Sequence, residues 1–61
     1  MLEAMWEWRT GKFVPIEVEP ASAVLITDGD QSWFEVDVEV EGVDHYAQYN
    51  ETLLRWESVD L

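Results

Sequence analysis

The stretch Ser32 to Gly42, SWFEVDVEVEG, alternates without a break. Phe34, Val36, Val38 and Val40 fall on one side, and Glu35, Asp37, Glu39 and Glu41 on the other. Side chains of a strand point alternately to opposite faces, so this is one strand with an apolar face and an acidic face. Its valines agree, because β-branched side chains suit a pleated, half-buried surface. Successive acids on such a face stand ~6.8 Å apart, two residues of strand rise. No Lys or Arg lies within the run to relieve their repulsion.

The rest of the chain is read around that strand. Leu2 to Arg9 alternates as Leu2, Ala4, Trp6, Trp8 against Glu3, Met5, Glu7, Arg9. Two Trp at period two, followed by the Gly-containing connection Thr10-Gly11-Lys12, favour a strand with both indoles inward. Phe13 to Glu19 is a second strand with Val14, Ile16 and Val18 on one face and Glu17 and Glu19 outward. Pro15 has no N–H to donate, which calls for an edge position or a bulge. Pro20-Ala21-Ser22 breaks the chain, and Ala23 to Thr27 forms a short apolar strand. Apolar residues on both its faces suggest a central, doubly covered position. Asp28-Gly29-Asp30-Gln31 is a tight turn.

After the acidic strand, Glu41-Gly42 turns the chain into Val43 to Tyr49. An even loop length places His45, Ala47 and Tyr49 with the valines, and Tyr46 beside Asp37 and Glu39. An odd length would invert this. Thr52 to Val59 is read as a last strand, with a short helix capped by Asn50 as the alternative. Ser58 to Leu61 is expected to fray. The fold class is therefore all-β. Residues 1–61 form a single small domain, an antiparallel five- or six-stranded barrel or strongly curled sheet, with one short C-terminal helix as an option.

Size and charge narrow the function classes. A chain of 61 residues buries only ~60% of the surface its unfolded state exposes. With no Cys there is no disulfide and no thiolate metal site. The four Trp, two Tyr and two Phe must supply much of the burial, with a homodimer as the other route. No run approaches the ~20 apolar residues of a membrane span, and no signal peptide is visible, so a cytoplasmic protein is expected. Fourteen acids face three bases, for a formal net charge of −11. Arg9, Lys12 and Arg55 are the bases, and Phe13 to Leu54 contains neither Lys nor Arg. That balance argues against direct contact with nucleic acid or anionic membrane and for a basic protein partner.

Few residues offer chemistry. His45 is the only histidine, too few for a nitrogen-ligand metal site. Asp28, Asp30, Ser32 and Glu39 echo a calcium-loop spacing, but Trp33 stands where that loop needs Gly. A barrel this small is expected to leave little room for a cleft of ~300 Å³. No catalytic residue, metal or cofactor is therefore assigned, and an enzyme is not expected. The acidic face is the remaining feature. Its carboxylates, Glu35, Asp37, Glu39, Glu41 and Asp44, imitate a row of phosphates, with Trp33 and Tyr46 as anchors for a partner. The expected function is inhibition of a basic, nucleic-acid-binding protein surface by charge mimicry. In size and charge, though not by any matched motif, the chain is similar to the small acidic inhibitors of phages and toxin systems. Two other readings stand beside it: an assembly module whose acidity serves solubility or salt adaptation, and a Trp-based sugar- or peptide-binding module.

Overall fold

The structure is a computed structural model that describes residues 1–59. Six strands follow one another: β1 (Leu2–Glu7), β2 (Lys12–Val18), β3 (Val24–Asp28), β4 (Gln31–Val40), β5 (Val43–Asn50) and β6 (Arg55–Ser58). One 3-10 turn, Pro20–Ser22, separates β2 from β3. The hydrogen-bonded order is β2-β1-β6-β5-β4-β3, and β2 also pairs with β4. That last pairing closes a ring through β1, β2, β4, β5 and β6, a small barrel from which β3 extends. Among the described residues no helix is long and apolar enough to cross a membrane.

The barrel is not wholly antiparallel. β1 and β6 run parallel, with Met5 opposite Trp56 and Trp6 opposite Glu57. A ring of five strands cannot alternate direction at every junction, so one parallel pair is unavoidable. The optional C-terminal helix is also absent: residues 51–54 turn and Arg55–Ser58 is strand. Asn50 does cap, its Oδ1 accepting the Thr52 and Leu53 N–H groups at 3.0 and 2.9 Å. The turn ends at Leu54, whose φ is +54°. A single helical turn fixes several residues for one hydrogen bond. The β6 ladder instead pairs Gln48 with Glu57 and Tyr49 with Trp56. Ser58, expected to fray, is buried, and its Oγ accepts the Trp8 N–H at 3.1 Å. The same expectation for Asp60 and Leu61 lies outside the described residues.

β4 has two partners along one edge. Gln31–Glu35 pair with β3, and Val38 and Glu39 pair with β2. The Pro20–Ser22 turn fills the interval between them. There the Asp37 N–H donates to Ser22 Oγ at 2.8 Å, and the Asp37 carbonyl accepts the Glu19 N–H at 3.2 Å. The backbone of the acidic strand is thus paired through its centre, as a half-buried strand requires. β4 turns into β5 through Glu41 and Gly42, with φ of +51° and +79°. Two positive φ values in a two-residue loop match the strand twist, the geometry of a type I′ turn. The even loop gives the expected facing, with Val36 opposite Ala47 and Asp37 opposite Tyr46. Pro15 lies where β2 has only β1 beside it, which spares the missing N–H.

The core comprises Met5, Ile16, Val18, Val36, Val38 and Ala47, with Val14, Val40 and Trp56 packed against it. This corrects the expected facing of β1. Met5 is only 2% exposed, whereas Leu2, Ala4, Trp6 and Trp8 lie on the outer face. The cause is register: Met5 sits opposite Val14 and Trp6 opposite Phe13, so the inward valines of β2 bring Met5 in. A narrow ring also admits a flexible Met more readily than two indoles. β1 ends at Glu7, two residues earlier than expected, and Trp8 opens a four-residue connection to β2. β3 needs correction too. It is an edge strand beside β4 alone, with Val24 and Leu25 exposed rather than doubly covered.

Candidate partner-binding surface

Strand pairing assembles the acids into two rungs on the outer face. β4 pairs with β5 on one side and β2 on the other. Glu39 therefore lies between Glu17 and Asp44. Two residues along, Asp37 lies between Tyr46 and Glu19, the latter joined to it through the 3.2 Å backbone bond. The result is a grid of Glu17, Glu39 and Asp44 above Glu19, Asp37 and Tyr46, all exposed. Rungs are ~6.8 Å apart along a strand, and neighbours on a rung ~4.8 Å apart across strands. The Met1 amino group reaches Glu17 Oε2 at 2.9 Å, with both side chains largely exposed. No Lys or Arg side chain belongs to the grid, since Arg9 lies in the β1–β2 connection, Lys12 at the far end of β2 and Arg55 on β6.

The predicted residues divide accordingly. Asp37, Glu39, Asp44 and Tyr46 come together as expected. Glu35 does not present a free carboxylate, because its Oε2 accepts the Trp33 Nε1–H at 2.8 Å and the side chain is half-buried. Trp33 is held by that bond and by cross-strand pairing with Ile26, so it flanks the grid instead of standing over it. Glu41 leaves the row at the turn and lines one mouth of the barrel with Glu7, Arg9 and His45, around a cavity of about 320 Å³. Glu17 and Glu19 join the row from β2. Their outward facing is legible from alternation, but their place beside β4 is not, because that pairing joins residues about twenty positions apart.

Like charges directly opposite one another destabilise a sheet. Glu17–Glu39–Asp44 is such an arrangement on an exposed surface, where salt screens it. Stability is therefore expected to rise as NaCl increases at pH 7. Thermal melts should show a smaller rise for Asp37→Asn with Glu39→Gln than for the wild type. Equal slopes would place the repulsion elsewhere.

A second cluster occupies the opposite side of the barrel. Trp6 meets Trp8 edge-on at 5.9 Å and Phe13 at 5.2 Å between ring centroids. The Arg55 guanidinium sits over the Trp6 ring at 4.7 Å, within cation–π range. Its Nε donates to Glu57 Oε2 at 2.8 Å, and Asn50 Nδ2 donates to Glu57 Oε1 at 3.3 Å. Glu57 is 3% exposed although it belongs to the outer face, because this cluster roofs it. Trp8 and Phe13 remain 51% and 56% exposed.

Three further concavities exceed the room expected of so small a barrel. A polar groove of about 550 Å³ runs between the β3–β4 turn and the β5–β6 loop past Trp33 and Tyr49. An apolar mouth of about 360 Å³ lies among Val18, Pro20, Ala23, Phe34, Val36 and Trp56. A third hollow of about 490 Å³ lies beside Phe13, Leu53 and Leu54. The groove and the hollow are built in part from loop residues, and the apolar mouth opens onto the core side chains Val18 and Val36. Among the described residues no group of three or more His, Asp or Glu is placed to hold a metal ion. Asp28 and Asp30 sit in the β3–β4 hairpin while Glu39 lies far along β4, so the calcium-loop spacing does not converge. Comparison with known protein families, curated proteins and solved structures returns no match to this chain.

Proposed function

We propose that this protein binds a basic surface of a partner protein, one that ordinarily holds nucleic acid, and blocks it by charge mimicry. The observation that carries the reading is the grid itself: Glu17, Glu19, Asp37, Glu39 and Asp44 with Tyr46 at one corner and no Lys or Arg side chain among them. Lys and Arg side chains that grip phosphates recognise an array of negative charge at similar spacing. Tyr46 supplies an amphipathic contact at one corner of the grid, beside Asp37 and Asp44. The long-range field of a chain with net charge −11 accelerates encounter with a cationic partner, so association is fast and weakens with salt. The reading takes the partner, and with it this protein, to be cytoplasmic. No bond-making step is required, and the reading involves no enzyme activity or cofactor.

A Trp-based ligand module has one observation in its favour, the exposure of Trp8 and Phe13. Against it, Arg55 already lies over the Trp6 face that a sugar or peptide would stack on. The solubility reading is the direct competitor, and it predicts no dependence on where a charge sits.

Position is therefore the variable to test. Asp37→Asn with Glu39→Gln removes two charges from the grid. Asp30→Asn with Glu51→Gln removes two exposed charges from loops at the other end of β4 and β5. The partner is captured from source lysate at low salt, and affinity is then measured on it. The grid variant is expected to bind about 10- to 100-fold more weakly, and the loop variant less than about threefold. Equal losses would mean that net charge alone attracts the partner. Undiminished binding by both variants would refute the mimicry reading.

A further inference from the structure

Among the described residues β3 is the one strand of the sheet with a partner on a single side, and it carries few of the usual protections of a free edge. Val24, Leu25, Ile26 and Thr27 include no charge and no Pro, Asp28 at the hairpin end is the strand's one charged residue, and the ladder with β4 runs without a bulge. Val24 and Leu25 are 55% and 58% exposed. Edges of this kind pair readily with another strand. Alternation of the ladder specifies which groups are offered. In a hairpin closed by two residues, the pair flanking the turn, here Asp28 and Gln31, exchanges hydrogen bonds. Ile26 and Trp33 then do the same, so the backbone groups of Leu25 and Thr27 point away from β4 toward the open side.

We infer that a second copy of this chain pairs with β3 along that edge, antiparallel, about a two-fold axis at Ile26. In this register Leu25 faces Thr27 of the other copy and Thr27 faces its Leu25. Those two pairs use every outward backbone group of both residues. Ile26 meets Ile26 of the other copy as a close, non-hydrogen-bonded pair, the spacing at which β-branched side chains interact best. A two-fold contact of this kind is self-complementary and stops at the dimer.

The uncharged edge favours this occupant over a basic peptide, with salt screening the repulsion between the two acidic chains. Residues 20–27 form an uncharged strip in a chain of net charge −11. Two such chains can meet there without opposing like charges, since Asp28 falls opposite Val24 of the other copy. A basic peptide would find no acid on β3 between Val24 and Thr27, and would be drawn to the grid instead. The small core adds a reason, because a short chain with six buried apolar residues among those described gains from covering further apolar surface. The dimer would carry two acidic grids, a bivalent arrangement for any partner with repeated basic sites. The inference itself does not depend on the proposed function.

Sedimentation equilibrium of the purified full chain, without any partner, tests the pairing. The wild type should move from the 7.1 kDa monomer toward twice that mass as concentration rises to about 100 μM, more readily in 0.5 M than in 0.05 M NaCl. Thr27→Pro removes an outward N–H at a position where an edge strand tolerates Pro. Ile26→Lys places two like charges against each other across the two-fold. Each should weaken dimerisation by at least about tenfold, with circular dichroism confirming that the barrel persists. If one variant fails to fold, the other gives the result. A wild type that remains monomeric throughout would overturn the inference. So would a dimer that both folded variants preserve, since another surface would then form it.

Discussion

Replacing Met5 with alanine is expected to lower the melting temperature by about 8–40 °C, and replacing Trp8 with alanine by about 4–8 °C. Met5 is 2% exposed at the centre of the ring, against Ile16, Val36, Val38 and Ala47. Truncating a buried Met costs about 2–5 kcal/mol in lost transfer energy and residual cavity. A chain of this length has a total stability of only about 3–9 kcal/mol, and each kcal/mol shifts the midpoint by about 4–8 °C. Trp8 makes an edge contact with Trp6 and lies 5.7 Å from the Arg55 guanidinium, but half of it is already in water. Its loss removes about 1 kcal/mol of aromatic contact. Thermal melts of the two variants compare the inward Met5 with the outward aromatic cluster directly. A larger loss at Trp8 than at Met5 would mean that the indoles, not Met5, face inward.

Glu57→Ala is the second large effect, expected to cost about 2–3 kcal/mol. The carboxylate is buried under the aromatic cluster and accepts hydrogen bonds from Arg55 and Asn50. Its removal leaves the Arg55 guanidinium over Trp6 with no counter-charge and the Asn50 amide without its acceptor. Glu57→Gln, which keeps an acceptor and the shape, should cost about half as much. Because the pair is sheltered, added NaCl should restore neither variant, in contrast to the exposed grid. Chemical denaturation at two salt concentrations separates the cases. A Glu57→Ala variant as stable as the wild type would show that the pair merely breaks even against desolvation.

The same residue illustrates why acids in this chain cannot be ranked by sequence position. Glu57 sits in WES near the C-terminus, outside the alternating run, and reads as one more solvated charge. It is buried because Trp6, opposite it on the parallel strand β1, and Arg55, two residues away, close over it. Glu35 reads as the first member of the acidic row, yet the indole two residues before it takes its carboxylate.

Strand existence was written in the chain itself. Period-two alternation in β4 and β5, the Asp28-Gly29 turn and the Glu41-Gly42 turn are local signals, carried by side-chain parity and by residues that accept positive φ. They suffice for an all-β architecture and for the facing of β4, β5 and Tyr46, since a two-residue loop transmits register across a hairpin. Parity misleads in β1: it sets Leu2, Ala4 and Trp6 against Glu3, Met5 and Glu7, yet the pairing of Met5 with Val14 turns Met5 inward. Ala23 to Thr27 reads as a central strand by hydrophobicity, but the Pro20–Ser22 turn carries the chain onto the part of β4 that β2 does not reach, where no further strand lies beside it. The acidic grid has the same origin. Alternation makes each acid face outward, while the closure of β2 onto β4 brings Glu17 and Glu19 beside Glu39 and Asp37. That closure is a contact between residues distant in sequence, set by the geometry of shutting five strands into a ring.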